Sequence, residues 1–146
     1  MQLSPEGLAF IARFEGFRPH VYADAAGLAT IGYGHLLLAG EAARYGSGIS
    51  EEEARALLAQ DALVAARAVR RLIHVPLEQA QFDALVSFTF NLGAGVLQRA
   101  TLRRKLNRRE YDAVPAELLR YVWAGGRKLP GLIRRRQAEA ALFGYA

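Results

Sequence analysis

The chain opens with an apolar and polar pattern that predicts a helix. Ser4 stands where an N-cap is expected, Pro5 takes the first helical position, and Leu8 and Ile11 follow at helical spacing. The same spacing brings Glu15 onto the apolar side in the last turn, before a glycine that can end the helix. Because an ionised carboxylate is costly to bury alone, Glu15 is expected to pair with a cation or to keep its proton.

The helical period disappears between residues 17 and 35. Short apolar stretches around Val21 and Ile31 flank the turn-forming segment from Asp24 to Gly27. This pattern is typical of two short strands joined by a tight turn.

Two longer apolar patterns follow. A capping box at residues 50–53 begins a stripe at helical spacing that extends to about Ile73, and Pro76 prevents its continuation. At about 1.5 Å per residue this helix would be roughly 35 Å long. The segment from about Glu78 to Leu92 is apolar nearly all round, which is typical of a helix in the centre of a core.

The C-terminal part predicts shorter helices joined by loops. Gly93 and Gly95 are expected to end the preceding helix, and residues 125–130 are expected to form a loop. Helices are predicted over about residues 101–106, 112–121 and 132–143.

Together these patterns predict a single α+β domain spanning residues 1–146. Its expected parts are a β-containing lobe over about 16–49, a larger helical lobe over about 1–15 plus 74–146, and a connecting helix over 50–73. An architecture of two lobes leaves a cleft between them, which is a common location for a ligand site.

Composition narrows the classes of function. Hydrophobic residues are 52% of the 146 residues and charged residues 23%, as in one folded domain, and no apolar run approaches the ~20 residues of a membrane span. The absence of cysteine excludes disulfides, thiolate metal sites and cysteine nucleophiles. The net charge of +5 favours association with polyanions such as nucleic acid, an anionic membrane or an acidic cell wall.

Common metal and nucleotide sites are not predicted. His20, His35 and His74 do not have the spacing of a zinc site, and no phosphate-binding glycine loop is present. Neither a metal nor another cofactor is therefore expected.

Three residues are candidates for chemistry: Glu15 at a helix end, Asp24 in a turn and Thr30 in a strand. A Glu in an apolar setting and an Asp open to water differ in the way that acid/base cleavage of a glycosidic bond requires. Thr30 would share a face with Gly32 and Gly34, which leaves room above the sheet for a sugar or a water molecule. Each residue also fits an ordinary structural role, namely a solvated helix end, turn chemistry and strand propensity.

A more specific pattern covers these three residues. The segment contains Phe14-Glu15-Gly16-Phe17-Arg18, then Tyr22, Asp24 and Gly27, and then Thr30-Ile31-Gly32-Tyr33-Gly34-His35. It resembles the phage-type lysozymes, endolysins of glycoside hydrolase family 24, whose pattern is Glu, eight residues, Asp or Cys, five residues and Thr. The similarity continues through residues 82–93, 105–107 and 123–139, so it covers nearly the whole chain.

The resemblance implies a mainly helical, lysozyme-like fold and a muramidase that hydrolyses the β-1,4 bond between N-acetylmuramic acid and N-acetylglucosamine in peptidoglycan. Glu15 would then be the general acid, while Asp24 and Thr30 would position the attacking water. Such an arrangement inverts configuration and predicts carboxyl groups roughly 6.5 to 9.5 Å apart.

Three further residues are candidates for contact with the substrate. Asn91 aligns with a cleft-facing amide of the family and is expected to hydrogen-bond the substrate, although it equally suits the end of a helix. Tyr33 is a candidate for stacking on sugars, and Gly32 for leaving space beside them. Trp123 is also able to stack, although a single Trp in a helical lobe is more often part of the core.

Arg135 is the candidate for electrostatic support. It lies on a face that turns toward the core, where it needs an anionic partner, and Glu15 or Glu139 could supply one. Arg134 and Arg136 compete for the same role.

The expected partner is peptidoglycan, with no nucleic acid, no stable insertion into a membrane and a monomeric state. Some relatives begin with an N-terminal membrane-anchoring segment, whereas this sequence begins almost directly at the helix that carries Glu15. We therefore expect it in the host cytoplasm until the membrane is permeabilised, and then at the cell wall.

Two other functions stay open on the sequence alone. The basic runs at residues 103–105, 108–109 and 134–136 suit a nucleic-acid-binding module, although no groove-reading motif accompanies them. A lytic transglycosylase uses one Glu and yields an anhydro sugar, and the presence of Asp24 and Thr30 disfavours it because that chemistry needs no positioned water.

Overall fold

The computed structural model describes residues 1–144, which contain eight α-helices and two small antiparallel sheets. The predicted class, α+β and mainly helical, is confirmed. Within this range no helix combines the length and the apolar character needed to cross a bilayer.

Helix α1 (Pro5–Glu15) begins and ends as predicted. The hydroxyl oxygen of Ser4 accepts a hydrogen bond of 2.9 Å from the Gly7 N–H, so Ser4 is the N-cap. Gly16 follows α1 with a φ of +74°, a value that glycine adopts without strain. Glu15 is therefore fixed as the last residue of the helix.

The first sheet follows directly and has the order β1-β2-β3. Strand β1 (Arg18–Ala23) pairs with β2 (Ala29–Gly32), and β2 pairs with β3 (His35–Leu36), in both cases antiparallel. The first two strands were predicted. The third was not, because a two-residue strand shows no alternation.

Two helices follow the sheet. Helix α2 (Glu41–Arg44) is short, and α3 (Glu51–Leu72) is 22 residues long. The predicted capping box is confirmed: the Ser50 N–H donates to the Glu53 carboxylate, and the Glu53 N–H donates to the Ser50 hydroxyl oxygen, both at 3.1 Å.

The rest of the described chain is mainly helical. The elements are α4 (Gln79–Leu92), α5 (Ala94–Arg99), α6 (Thr101–Asn107), a 3₁₀ turn (Tyr111–Ala113), α7 (Val114–Leu118), β4 (Trp123–Ala124), β5 (Arg127–Lys128) and α8 (Pro130–Phe143). Helix α4 packs on α8 and, as predicted, most of its apolar side chains are buried, with Phe82 and Phe88 at most 2% exposed. Phe90 and Leu92, near the end of the helix, are only partly buried.

Three local predictions for this region were wrong. Gly93 does end α4, but α5 begins at the next residue, so Gly95 lies inside a helix. The helix expected over 112–121 is limited to a 3₁₀ turn and the five residues of α7. The expected loop over 125–130 instead contains the turn and the second strand of the hairpin β4-β5, and Pro130 begins α8. Gly125 and Gly126 both have positive φ, as a tight two-residue hairpin turn requires.

The chain divides into two compact units. The β-containing unit comprises residues 8–63, and the helical unit comprises residues 1–7 and 64–146. Their charges differ in sign. The β-containing unit has 4 Lys and Arg against 7 Asp and Glu, a net charge of −3, while the helical unit has 15 against 7, a net charge of +8.

Candidate active site

The Glu15 carboxylate lies next to the backbone of Gly34. The side chain is half-buried, and its Oε1 atom is 3.4 Å from the position that a Cβ atom would occupy on Gly34. Gly34 lies in the turn between β2 and β3 and has a φ of +82°. The positive φ at this position therefore favours glycine, whereas a Cβ atom here would make a van der Waals contact with the Glu15 carboxylate.

Asp24 and Thr30 are both bonded to the backbone of Leu28. The Asp24 Oδ1 atom accepts hydrogen bonds from the N–H groups of Leu28 at 2.8 Å and Ala26 at 2.9 Å. The Thr30 hydroxyl donates to the Leu28 carbonyl oxygen at 2.9 Å. Leu28 thus holds both side chains, and the pairing of Thr30 with Tyr22 fixes the register between β2 and β1.

These bonds determine what the two side chains offer to a ligand. The Thr30 proton is engaged by the Leu28 carbonyl, so the Thr30 Oγ1 atom is left as an acceptor. Within residues 1–144, the hydrogen bonds to the Asp24 side chain all go to Oδ1, which leaves Oδ2 as a second acceptor. Each of the two side chains thus retains one acceptor atom.

Tyr33 ties the turn beneath Glu15 to α3. Its hydroxyl donates a hydrogen bond of 2.8 Å to the Glu51 carboxylate, and its ring centre lies 5.6 Å from that of Phe17. The side chain is only 5% exposed. Sugar stacking on Tyr33 is therefore not supported, and the ring has a structural contact instead.

His35 ties the other end of this turn to α2 and α3. Its Nδ1 atom lies 2.8 Å from the Asp61 carboxylate and its Nε2 atom 3.1 Å from the Glu41 carboxylate. Burial disfavours the charged imidazolium, but the hydrogen bonds and charges of Asp61 and Glu41 outweigh it and raise the pKa of His35. The Leu38 N–H and the hydrogen bond to His35 lower the pKa of Glu41.

Comparison with known proteins assigns the chain to a family. The sequence profile described as phage lysozyme matches residues 12–139. The chain belongs to the phage lysozyme family. It is therefore a lysozyme-type glycoside hydrolase, and the predicted activity toward peptidoglycan is confirmed at this level.

Individual relatives match over nearly their full length. The chain is 40% identical over 147 aligned positions to an endolysin of Acyrthosiphon pisum secondary endosymbiont phage 1, and 37% identical over 145 to an endolysin of Salmonella phage P22, with 98% of each chain covered in both cases. Among solved structures, a P22 lysozyme mutant superposes with a TM-score of 0.89 at 36% identity, covering 98% of both chains. The muramidase domain of SpmX from Asticaccaulis excentricus gives 0.88 at 36% identity, covering 99% of both.

The helical unit of this phage lysozyme contains a buried ionic cluster. Glu139 is fully buried, and its carboxylate accepts hydrogen bonds from the Ser87 hydroxyl at 2.6 Å and from Arg136 Nη2 at 3.1 Å. Arg135, 4% exposed, donates from Nε to the same carboxylate at 3.4 Å. Glu139 is thus a partner of Arg135, as one of the two sequence interpretations expected.

Two further candidate residues are engaged by protein groups. The Asn91 Oδ1 atom accepts a hydrogen bond of 2.9 Å from Arg136 Nη2. A Cβ atom on Gly32 would lie 3.1 Å from both the Ala54 Cβ and the Ile49 Cδ1 atoms. The expectation of open space at Gly32 is therefore wrong, because this glycine permits close packing against α3.

Sequence reasoning missed the residues that support the turn beneath Glu15. Asp61 is 26 positions from His35, and Glu51 is 18 from Tyr33, so no local spacing connects them. The sequence gives one weak indication that Asp61 has a partner, which is its position on α3 next to the buried residue Ala62. Trp123 was interpreted mainly as a core residue, but it is 59% exposed, with the Lys128 ammonium 5.3 Å from its ring centre.

We predict that Gly34→Ala reduces activity more than an equally strained substitution elsewhere. The new methyl group would contact the Glu15 carboxylate, and a positive φ would be imposed on Ala, at a cost of about 1 kcal/mol. The matched control is Gly126→Ala, where φ is +75° and nothing lies within 4 Å of the new methyl group. Both variants should lose similar stability, but only Gly34→Ala should lose about 10-fold in kcat. Equal kcat values would contradict this role of Gly34.

The His35 contacts predict a pH-dependent stability. Because the pKa of His35 is raised on folding, its contribution is complete below the unfolded value of 6.5 and is lost as the pH rises through the folded pKa. The free energy of unfolding is measured by urea titration at pH values from below 6.5 to above the folded pKa of His35. As the pH rises, it should fall by about 1 to 2 kcal/mol more in wild type than in His35→Gln. The control His74→Gln, which alters an exposed imidazole, should keep the wild-type pH dependence. A pH dependence that persists in His35→Gln would exclude His35 as its source.

Proposed function

We propose that this chain hydrolyses the β-1,4 bond between N-acetylmuramic acid and N-acetylglucosamine with inversion of configuration. Glu15 is the general acid, and Asp24 and Thr30 hold the attacking water. The observation that carries this proposal is the shared bonding of Asp24 and Thr30 to Leu28, which leaves one acceptor atom on each side chain.

The proposed reaction needs one proton donor, one water and one proton acceptor. The water bound by Asp24 and Thr30 attacks the anomeric carbon and forms a new carbon–oxygen bond. The bond from that carbon to the glycosidic oxygen breaks, and Glu15 gives its proton to the leaving oxygen. Asp24 takes a proton from the water, and exchange with solvent restores both carboxyl groups.

The chemical environment of each carboxyl group supports this division of roles. Asp24 is held by two backbone N–H groups in a turn, so its orientation is fixed before substrate binds. Glu15 is half-buried at a helix end and faces the bare backbone of Gly34. Gly34 has no side chain that could cover the Glu15 carboxyl group from this side.

The product distinguishes this reaction from its alternatives. Purified peptidoglycan digested in ¹⁸O-labelled water should yield reducing muramic acid ends that carry the label, detected by mass spectrometry. The first anomer formed, followed by NMR, should be α. A 1,6-anhydro product would indicate transglycosylation, and an initial β-anomer would indicate retention. Either result would reject the proposed mechanism.

We further propose that the protein acts as a monomer and reaches the wall from the host cytoplasm after the membrane has been permeabilised. Glu15, Asp24 and Thr30 all come from one chain within the same compact unit, so no second copy is needed to assemble them. Sedimentation of the purified protein tests the monomer, and fractionation of host cells before lysis tests the location.

A further inference from the structure

Two segments of the helical unit carry many cations and no acidic residue. Residues 64–77 cover the last turns of α3 and the segment after it, and residues 95–109 cover most of α5 and all of α6. Together they contain nine Lys and Arg residues and no Asp or Glu. Nearly half of the 19 Lys and Arg residues in the chain thus lie in these two segments.

Hydrogen bonds hold the two segments together. The carbonyl oxygen of Leu72, at the end of α3, accepts from Arg103 Nε at 3.1 Å and from Asn107 Nδ2 at 2.9 Å. The Asn107 Oδ1 atom in turn accepts from the His74 N–H at 2.7 Å. The cations of both segments therefore share one part of the surface, which we call the α3–α6 basic face.

Most of these cations have no carboxylate partner among residues 1–144. Lys105 lies 3.7 Å from Glu117 and Arg108 lies 2.7 Å from Glu110. Among the described residues, none of the other seven cations has a carboxylate within ion-pair distance. These seven are Arg67, Arg70, Arg71, Arg99, Arg103, Arg104 and Arg109. The face therefore attracts anions in solution.

The chemistry of the face suits a hydrated anionic polymer. Arginine binds carboxylates and phosphates through paired N–H groups. Among the side chains of residues 64–77 and 95–109, Val64 at one end of the first segment is the single large exposed hydrophobic group, which is fewer than insertion into a bilayer would need. Glu15, Asp24 and Thr30 belong to the other unit, whose net charge is −3, so none of the candidate catalytic residues is part of the face.

We propose that the α3–α6 basic face binds the peptide carboxylates of the peptidoglycan network and holds the enzyme on its polymeric substrate. This inference rests on the proposed function, because the substrate supplies the anionic partner. A polymer presents many carboxylates, so contacts that are weak individually become effective together. The face should therefore raise activity on insoluble wall material without changing the chemical step on a short soluble glycan.

The test combines a variant of the face with a control of equal charge. The triple variant Arg67→Gln, Arg71→Gln and Arg104→Gln removes three exposed cations from the face. The control Arg127→Gln, Lys128→Gln and Arg134→Gln removes three exposed cations from elsewhere in the same unit. Binding to purified sacculi is measured by co-sedimentation at low and high salt, with Glu15→Gln added to every protein to prevent digestion.

The face variant should bind sacculi about 10-fold more weakly at low salt and should show a smaller salt dependence. The control should bind within about twofold of the parent protein. With Glu15 restored, the face variant should lose activity on sacculi but keep its kcat on a soluble glycan, and its thermal unfolding should match that of the control.

Several outcomes would overturn this inference. Equal weakening by the two triple variants would show that only total charge matters. Unchanged binding by the face variant would exclude the face. Tighter binding of the parent to double-stranded DNA or to anionic vesicles than to sacculi, lost in the face variant, would assign the face to a different partner. Failure of the proposed function would appear separately, as sacculi that are bound but release no reducing ends.

Discussion

Replacement of Glu15 by Gln is expected to lower the turnover of peptidoglycan by about 10² to 10⁴-fold. Glutamine retains the size of the side chain but has no proton to give to the leaving glycosidic oxygen. The substrate should still bind, so the loss should lie in kcat rather than in KM. Release of reducing ends from purified peptidoglycan measures both constants.

Two comparisons make the Glu15 result specific. Glu6→Gln removes an exposed carboxylate from the first turn of the same helix and should leave kcat within about twofold. Asp24→Asn retains an acceptor for the water and should cost less than Glu15→Gln, because the family pattern that the sequence resembles accepts Cys as well as Asp at this position. Full activity in Glu15→Gln would remove this residue from the mechanism.

Replacement of Glu139 by Gln is expected to destabilise the fold by about 3 to 5 kcal/mol. Glu139 and Arg136 are both fully buried, with Arg136 Nε 2.7 Å from Glu139 Oε1, and Arg135 is 4% exposed. Without the carboxylate, the fully buried Arg136 guanidinium would remain in the core without its acidic partner. The free energy of unfolding, obtained by urea titration, measures the loss.

The control for this prediction is a second acid in the same unit. Glu117 is also buried, but its partners Arg120 and Lys105 have side chains that are 65% and 35% exposed. Because these cations are solvated when the acid is removed, Glu117→Gln should cost only about 1 kcal/mol. Similar losses from Glu139→Gln and Glu117→Gln would show that burial of the cations is not the cause.

A double substitution tests whether the stability lost in Glu139→Gln comes from the charge of Arg136 that is left without its partner. Burial raises the pKa of Glu139 and lowers the pKa of Arg136, against the attraction between them. The pair is therefore held in the charged form at a cost. Arg136→Met combined with Glu139→Leu should recover part of the stability lost in Glu139→Gln. A double variant less stable than the single one would contradict this interpretation.

The parts of the fold that were predicted depend on local physical chemistry. Ser4 and Ser50 marked the starts of two helices because a capping side chain bonds to an N–H only three residues away. The turn at Asp24 was predicted for the same reason, since its oxygen accepts from Ala26 and Leu28 within the next four residues.

The missed elements depend on effects that spacing does not show. Gly93 was expected to end one helix, which it does, but its positive φ also redirects the chain so that a second helix starts at once. The contacts of His35 with Asp61 and of Ser87 with Glu139 join residues 26 and 52 positions apart. Such pairs are set by packing of whole elements and have no counterpart in a local pattern.

The candidate site was predictable in identity but not in geometry. Spacing and family resemblance selected Glu15, Asp24 and Thr30. Neither predicted that Gly34 faces the Glu15 carboxylate, or that Gly32 is packed tightly and does not provide open space. Strand alternation failed at Gly32 because its φ is +70°, which departs from strand geometry.

The joint attachment of Asp24 and Thr30 to Leu28 makes the seven residues from Asp24 to Thr30 one internally bonded segment. Its internal spacing comes from its own peptide groups, so the length of the stretch is constrained more strictly than the side chains of Ala25 and Ala26, which are exposed. Variation among natural or engineered versions should accordingly appear as changes of residue type at these two places, whereas insertions and deletions should be absent from it.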